Sequence, residues 1–269
     1  MPVKTLKTAI PIPVLGLRTD KPGTFLDSRS TPDCQNVRIE RNQIKKREGY
    51  SQLGAASTGV IMYQDEFNRE GTNYFFRIST SKFEWWNNAG AIWVDYTDGN
   101  LAGVITQPVS ASVAKISGKN ILVFTNYVDA IKKWEGSGNN IAILGGTPPI
   151  PKYLLGFNGF LLAGYIKDGA DIFPERVQWS DYDAPETWVE STDNNAGAFD
   201  LDDGYPIAGM FRLGNSVIVP KTDSVWLGYL TGDDRVFQFE SVERKLGYLS
   251  GNTIKVVPQF VAVELAVKS

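Results

Sequence analysis

The stretch AKISGKNILVFTNYVDAIKKWEG (residues 114–136) sets out one unit of architecture: an apolar strand, a tight turn at Gly118, a second strand of apolar residues, a polar loop and a strand ending in Trp134. The phrase returns twice. LLGFNGFLLAGYIKDG (154–169) with ERVQWSD (175–181) repeats it around Asn158-Gly159 and Trp179, and MFRLGNSVIVPKTDSVWLGYLTG (210–232) repeats it around Gly214-Asn215 and Trp226. The turns at 118 and 159 are 41 residues apart and those at 159 and 214 are 55 apart, the second interval being lengthened by YDAPETWVESTDNNAGAFDLDDG (182–204). A period of roughly 40–50 residues with several strands in each unit predicts an all-β chain built as a β-propeller, whose blades are four-stranded sheets.

Upstream, YFFRIS (74–79), KFEWW (82–86) and AIWVDYT (91–97) read as three strands of a meander separated by short polar turns, which supplies a further unit. Downstream, KLGYLSGNTIKVV (245–257) opens the same phrase once more, close to Ser269. The expectation is therefore four visible blades and a partial fifth over residues 58–269. A β-sandwich with long loops is the competing architecture. Residues 1–57 differ in texture. They are interrupted by proline and then highly charged. In STPDCQNV (30–37), Thr31 can cap a helical turn whose first position is Pro32, and VRIERNQIKKREGY (37–50) reads as a hairpin about Asn42-Gln43. This segment is expected to be a docking arm of extended chain, one helical turn and a charged hairpin.

Composition narrows the function. The 269 residues include 26 Gly and 14 Pro, which disfavours long helices, while 42% apolar residues and 32 aromatics are ample for a large core. There is no histidine, so the usual neutral-pH general base and the commonest metal ligand are missing, and Ser-His-Asp, Cys-His and His-zinc chemistries are excluded within the chain. The single Cys34 can form no internal disulfide and reads as a small buried apolar residue. No signal peptide or bilayer-spanning run of about 18 apolar residues is apparent. The net charge of −3 offers no overall basic field for a phosphate backbone. The hairpin alone is basic, with Arg38, Arg41, Lys45, Lys46 and Arg47 against Glu40 and Glu48. A solvated face accounts for it, the alternative being an acidic partner or passing nucleic acid.

Searches for reactive constellations yield no catalytic, cofactor-binding or metal-ligating residues. Asp200, Asp202 and Asp203 begin like a calcium loop, but the later bidentate acid is missing after Gly204, so a polar connector is expected. SDYDAPETW (180–188) resembles the Asp-box turn of sialidase-like propellers, which is a structural turn. Trp85, Trp86 and Trp93 are expected to pack between blades, and their alternative is a sugar-stacking platform. A glycosidase using two carboxylates needs no histidine, yet nothing marks which acids would pair.

The N-terminal phrase STPDCQNVRIERNQIKKREGYSQLG (30–54) resembles the opening of tailed-bacteriophage structural proteins, with Pro32, Asn36, Val37, Arg47, Gly49 and Tyr50 at the corresponding positions. ERVQWSDYDAPETW (175–188), IAGMFRLGNSVIVPKTDSVWLGYLTG (207–232) and KLG (245–247) are similar to the middle of phage tail hub and nozzle propellers, in outline from about residue 25 to 250. The resemblance implies a non-enzymatic virion protein of the tail hub, nozzle or head-to-tail region, made in the host cytoplasm. It would assemble as a ring with copies of itself and with tail or portal-region neighbours, letting DNA pass without specific binding and using neither cofactor nor membrane. Asn36, Arg47, Gly49 and Tyr50 are then candidate docking or turn residues, with Gly49 expected to meet a backbone requirement. Trp134, Trp179 and Trp226 are candidate blade anchors. After about Val257 the sequence departs from the family pattern. A carbohydrate-binding propeller is the alternative function, and a carboxylate glycosidase a more remote one.

Overall fold

A computed structural model describes residues 15–18, 22–27, 29–31, 33, 37–40, 43–47, 49, 51–136, 138–232 and 235–244. The chain is all-β and divides into two compact units, Met1–Leu53 and Gly54–Ser269. In the first unit, β1 (Gly16–Leu17) runs parallel to β2 (Ser30–Thr31), and β3 (Val37–Glu40) pairs antiparallel with β4 (Gln43–Lys46). The charged hairpin is thus present, but Gln43 pairs with Glu40 and belongs to a strand instead of the turn expected at Asn42-Gln43. Thr31 ends β2, and its Oγ1 accepts from the Asp33 amide at 3.3 Å, the bond that a capping residue makes to the second position of a helical turn. The only helical turn among the described residues here is a 3-10 turn at Gly23–Phe25; residues 32 and 34–36 lie outside them.

The second unit contains four four-stranded antiparallel sheets, each a meander in chain order. The first sheet is β5 (Ile61–Arg69), β6 (Thr72–Ser79), β7 (Phe83–Asn87) and β8 (Ile92–Asp95). The second is β9 (Ser110–Ile116), β10 (Lys119–Thr125), β11 (Lys132–Trp134) and β12 (Ala142–Ile143). The third is β13 (Ile150–Phe157), β14 (Phe160–Asp168), β15 (Asp171–Trp179) and β16 (Gly197–Asp200). The fourth is β17 (Phe211–Leu213), β18 (Ser216–Pro220), β19 (Ser224–Leu230) and β20 (Phe237–Arg244). The fifth unit expected from residue 245 lies outside the described residues.

Turn chemistry explains the first hairpin of every sheet. Glu70-Gly71, Ser117-Gly118 and Asn158-Gly159 all have positive φ at both central residues, the signature of a type I′ turn, whose twist matches that of the strands it joins. At Gly214-Asn215 only the glycine has positive φ, as a type II′ turn requires.

Second strands are buried on both faces, which is why they read as unbroken apolar runs. In β10, Leu122 and Phe124 join Phe67, Phe76, Phe83 and Trp134 in a core between the first two sheets. Ile121 and Val123, on its other face, join Leu154, Leu161, Ala163 and Trp188 between the second and third. In β14, Phe160 and Leu162 turn the other way, toward Val217, Val219, Trp226 and Phe237 of the fourth sheet. Each sheet therefore packs on the next in chain order.

The seam between the second and third sheets brings first strands side by side. The edge amides of Leu154 and Gly156 donate to the Ser110 and Ser112 hydroxyls at 3.0 and 2.7 Å, and the Thr125 hydroxyl donates to the Pro151 carbonyl at 2.8 Å. Hydroxyls thus satisfy a strand edge that would otherwise be an open pairing template. Gly156 permits this approach, since an added Cβ would sit 1.9 Å from the Val113 carbonyl oxygen. Gly156→Ala is expected to destabilise the protein by about 3 kcal/mol, because backbone and not a mobile side chain would have to yield. Urea unfolding followed by circular dichroism checks this, and an unchanged midpoint would contradict it.

Candidate functional site

The anchors predicted from the repeat occupy matching places. Trp134, Trp179 and Trp226 all lie on third strands, pair with second-strand residues Leu122, Leu162 and Val219, and are nearly or fully buried. Each indole N–H reaches a connecting segment: Trp134 Nε1 donates to the Asn139 carbonyl at 3.0 Å, Trp179 Nε1 to the Asn195 carbonyl at 2.8 Å and Trp226 Nε1 to Asp203 Oδ2 at 2.7 Å. The apolar body of the ring fills the seam while its polar edge ties down a loop. Trp85 occupies the corresponding position on β7, pairing with Phe76, but its buried Nε1 has no hydrogen-bond partner.

Each seam is also crossed by a charged clasp, which sequence reading did not identify. At the first, Arg69 donates to the Glu135 carbonyl, with its guanidinium 3.9 Å from the Glu135 carboxylate. At the second, Glu186 Oε1 accepts from Lys133 Nζ at 2.8 Å and from the Gly145 amide at 3.0 Å. The Lys133 hydrogen bond and then the Gly145 amide hold the Glu186 carboxyl below its ordinary value.

The third clasp is the most enclosed. Lys221, fully buried at the turn between β18 and β19, donates to Asp203 Oδ1 and to the Leu201 carbonyl, and lies 3.4 Å from Glu175 Oε2 of the third sheet. Asp203 also accepts from the Ser224 hydroxyl and the Trp226 indole. Burial pushes the Asp203 carboxyl up, but the hydrogen bonds from Lys221, Ser224 and Trp226 and the lysine charge outweigh it and bring its pKa down to about 2.

The acidic run at 200–203 is accordingly a connector whose members point to different partners. Asp200 forms a two-pronged pair with Arg176, at 2.6 and 2.7 Å, while Asp203 turns inward to Lys221. Among the described residues, no group of three or more Asp, Glu, His or Cys is placed to hold a metal ion. No helix among them is long and apolar enough to cross a membrane.

The SDYDAPETW turn is similarly built. Asp181 Oδ1 accepts from the Tyr182 and Asn195 amides at 2.8 and 2.9 Å and from Asn195 Nδ2 at 3.1 Å. Burial raises the Asp181 carboxyl pKa, but these donors carry the net shift downward. Buried Ser180 bridges the Leu161 amide and the Asp181 carbonyl, and Trp188 Nε1 closes the turn on the Pro185 carbonyl at 2.7 Å.

The three tryptophans of the first sheet form no open platform. Trp85 packs against Tyr74 and Tyr96, while Trp86 and Trp93, on the opposite face, meet edge-on at 5.3 Å. All three are half-buried, and Trp86 and Trp93 lie against Gly54. Beside them, Arg77 and Glu84 form a buried bidentate pair at 2.8 and 3.0 Å, with the guanidinium 4.1 Å above Trp93. That pair holds down the entry to the unit, because Arg77 Nη2 also donates to the Ala55 carbonyl at 3.1 Å and Glu84 accepts from Ser57.

Of the N-terminal candidates, Arg47 is exposed, and a Cβ added at Gly49 would meet nothing within 4 Å. No close neighbour requires glycine there. Asn36 and Tyr50 lie outside the described residues. Chemically, the described geometry is that of stiff sheets joined by aromatic and ionic seams, with most carboxylates near those seams already engaged by cations or amides. No protein-family model matches the chain, and no curated protein matches it.

Proposed function

We propose that this chain is a non-enzymatic structural protein of a tailed-bacteriophage virion, placed in the tail hub, nozzle or head-to-tail region. The four meanders are the blades of a β-propeller-like body, and the N-terminal unit with its basic hairpin is a docking arm. The observation that carries the reading is the repeated seam: successive four-stranded sheets packed face to face, each with a third-strand aromatic and a charged clasp to its neighbour. Such nearest-neighbour packing gives a stiff body whose ends and rim present loops, which suits a part that works by being assembled. The phage-like phrases at 30–54, 175–188, 207–232 and 245–247 support the same role from sequence.

Partners on this reading are other tail or portal-region proteins and further copies of the chain. A net charge of −3 suits a part that DNA passes without sticking, since a basic lumen would hold phosphates. A channel lined by Arg38, Arg41, Lys45 and Lys46 would count against that detail. Native mass spectrometry of the purified full chain tests the assembly. A closed oligomer, or a monomer that joins a tail neighbour when the two are mixed, is the expected result. A lone monomer that also ignores those neighbours would contradict it.

A further inference from the structure

A polar groove of about 460 Å³ opens where the first hairpins of the second, third and fourth sheets come together. Its floor is the end of β13 with the Asn158-Gly159 turn, and its walls carry Lys115, Tyr182, Asp183 and Arg212. The volume lies in the range of small-molecule sites.

Several features hold these groups in place before any ligand arrives. The Tyr182 ring packs edge-on against Phe160, 5.5 Å between centroids, and lies across Gly159, where an added Cβ would come within 2.5 Å of it. Much of the ring nevertheless remains open, Tyr182 being 56% exposed. Asn158 and Asp183 both have left-handed backbones, with φ of 47° and 49°, and the Asp183 amide is tied to the Gly159 carbonyl at 2.8 Å. Arg212 is fixed by the Gly214 carbonyl at 3.0 Å and Asn158 Oδ1 at 3.1 Å, and lies over the Phe157 ring.

What remains unused is chemically specific. Among the described residues, the Asn158 amide N–H₂, the Asp183 carboxylate, the Lys115 ammonium and the Tyr182 hydroxyl have no hydrogen-bond partner within the protein. The groove thus offers donors, an acceptor and a donor–acceptor around one exposed aromatic face. A phosphate chain would meet the Asp183 charge, and an apolar ligand would strip water from these polar groups without replacing its hydrogen bonds. A hydroxyl both donates and accepts, and the C–H face of a pyranose matches a flat ring.

We propose that this groove is a saccharide-binding subsite, in which Tyr182 stacks on one sugar ring while Asn158, Asp183 and Arg212 bond its hydroxyls. It is separate from the half-buried tryptophans of the first sheet and does not depend on the virion reading. Preorganised side chains reduce the ordering cost of binding, which favours recognition by so few contacts.

The test is saturation-transfer NMR on the full-length protein with a panel of glucose, galactose, mannose, rhamnose, N-acetylglucosamine and glucuronic acid, followed by titration of any sugar that responds. Tyr182→Ala removes the stacking face, and Asn158→Gly removes the amide while keeping the left-handed turn; thermal melting establishes that both variants fold. Saturation transfer to at least one sugar, weakened about tenfold or more by either variant, is the expected result. No transfer to any member of the panel, or transfer unchanged in both folded variants, overturns the proposal. Incorporation of Tyr182→Ala into particles, measured separately, reports on the virion role alone.

Discussion

Replacing Trp134 with alanine is expected to lower the free energy of unfolding by about 5 kcal/mol, at the upper end for a large core truncation. The ring is fully buried at the seam between the first two sheets. It sits 5.0 Å from Phe83, 5.2 Å from Tyr74, 5.9 Å from Phe67 and 6.1 Å from Tyr96, between centroids. These neighbours come from β5, β6, β7 and the residue that follows β8, so they cannot close on the void together without moving strands of another sheet. Truncation also leaves the Asn139 carbonyl without its indole donor. Because each sheet packs mainly on its neighbours, the loss is expected to be uneven along the chain. Amide hydrogen exchange in Trp134→Ala should rise more in β5–β12 than in β17–β20. A uniform rise, or a loss of stability below about 2 kcal/mol, would show that the seam is not the unit of stability.

Asp203→Ala is expected to cost about 3–5 kcal/mol, for a different reason: it leaves the buried Lys221 ammonium, among the described residues, with Glu175 and the Leu201 carbonyl as its hydrogen-bond partners. Adding Lys221→Met to that variant should restore part of the loss, because the uncompensated charge is then gone. If the double variant is as unstable as the single one, packing and not charge dominates the node.

The same pair gives a pH signature. Asp203 titrates near 2 in the folded protein against an ordinary 3.8, so its folded-state pKa is depressed. Its contribution, on the order of 2 kcal/mol, is present above pH 4 and fades as the pH falls from about 4 toward 2. Asp181, Glu186 and Asp200 are shifted in the same direction and add to the trend. Urea midpoints should therefore fall across that window, and the fall should be shallower in the Asp203→Ala, Lys221→Met double variant. An equal slope in the two proteins would place the acid sensitivity elsewhere.

Sheet organisation was legible in the sequence because it is written in local chemistry. Ser117-Gly118, Asn158-Gly159 and Gly214-Asn215 can adopt the positive φ of hairpin turns, and the doubly buried second strands leave runs such as ILVF at 121–124. The third-strand tryptophans were legible for the same reason, recurring at one place in each phrase.

The clasps were not legible, because their meaning depends on residues far apart in the chain. Arg69 and Glu135 are separated by 66 positions, Lys133 and Glu186 by 53, and Glu175 and Lys221 by 46. The one local hint was Lys221 itself, a charge following an apolar strand and Pro220 just before the Trp226 strand, where a solvated loop would be the ordinary expectation. The expected helical turn at Thr31-Pro32 rested on a capping residue followed by a first-position proline. Thr31 pairs with Leu17 as strand while its hydroxyl takes the Asp33 amide as a cap would, and residues 32 and 34–36, where the turn was expected, lie outside the described residues.

The groove was illegible as a site for a further reason. Its side chains come from three sheets and look like ordinary turn residues in sequence, and only the close packing at Gly156 and Gly159 gathers them.

The most direct test of the central claim is quantitative peptide mass spectrometry of purified particles released by the source culture. The account predicts this chain in the particles at a fixed ratio to the major capsid protein, retained through density-gradient purification. Its absence from intact, purified particles would contradict a virion structural role.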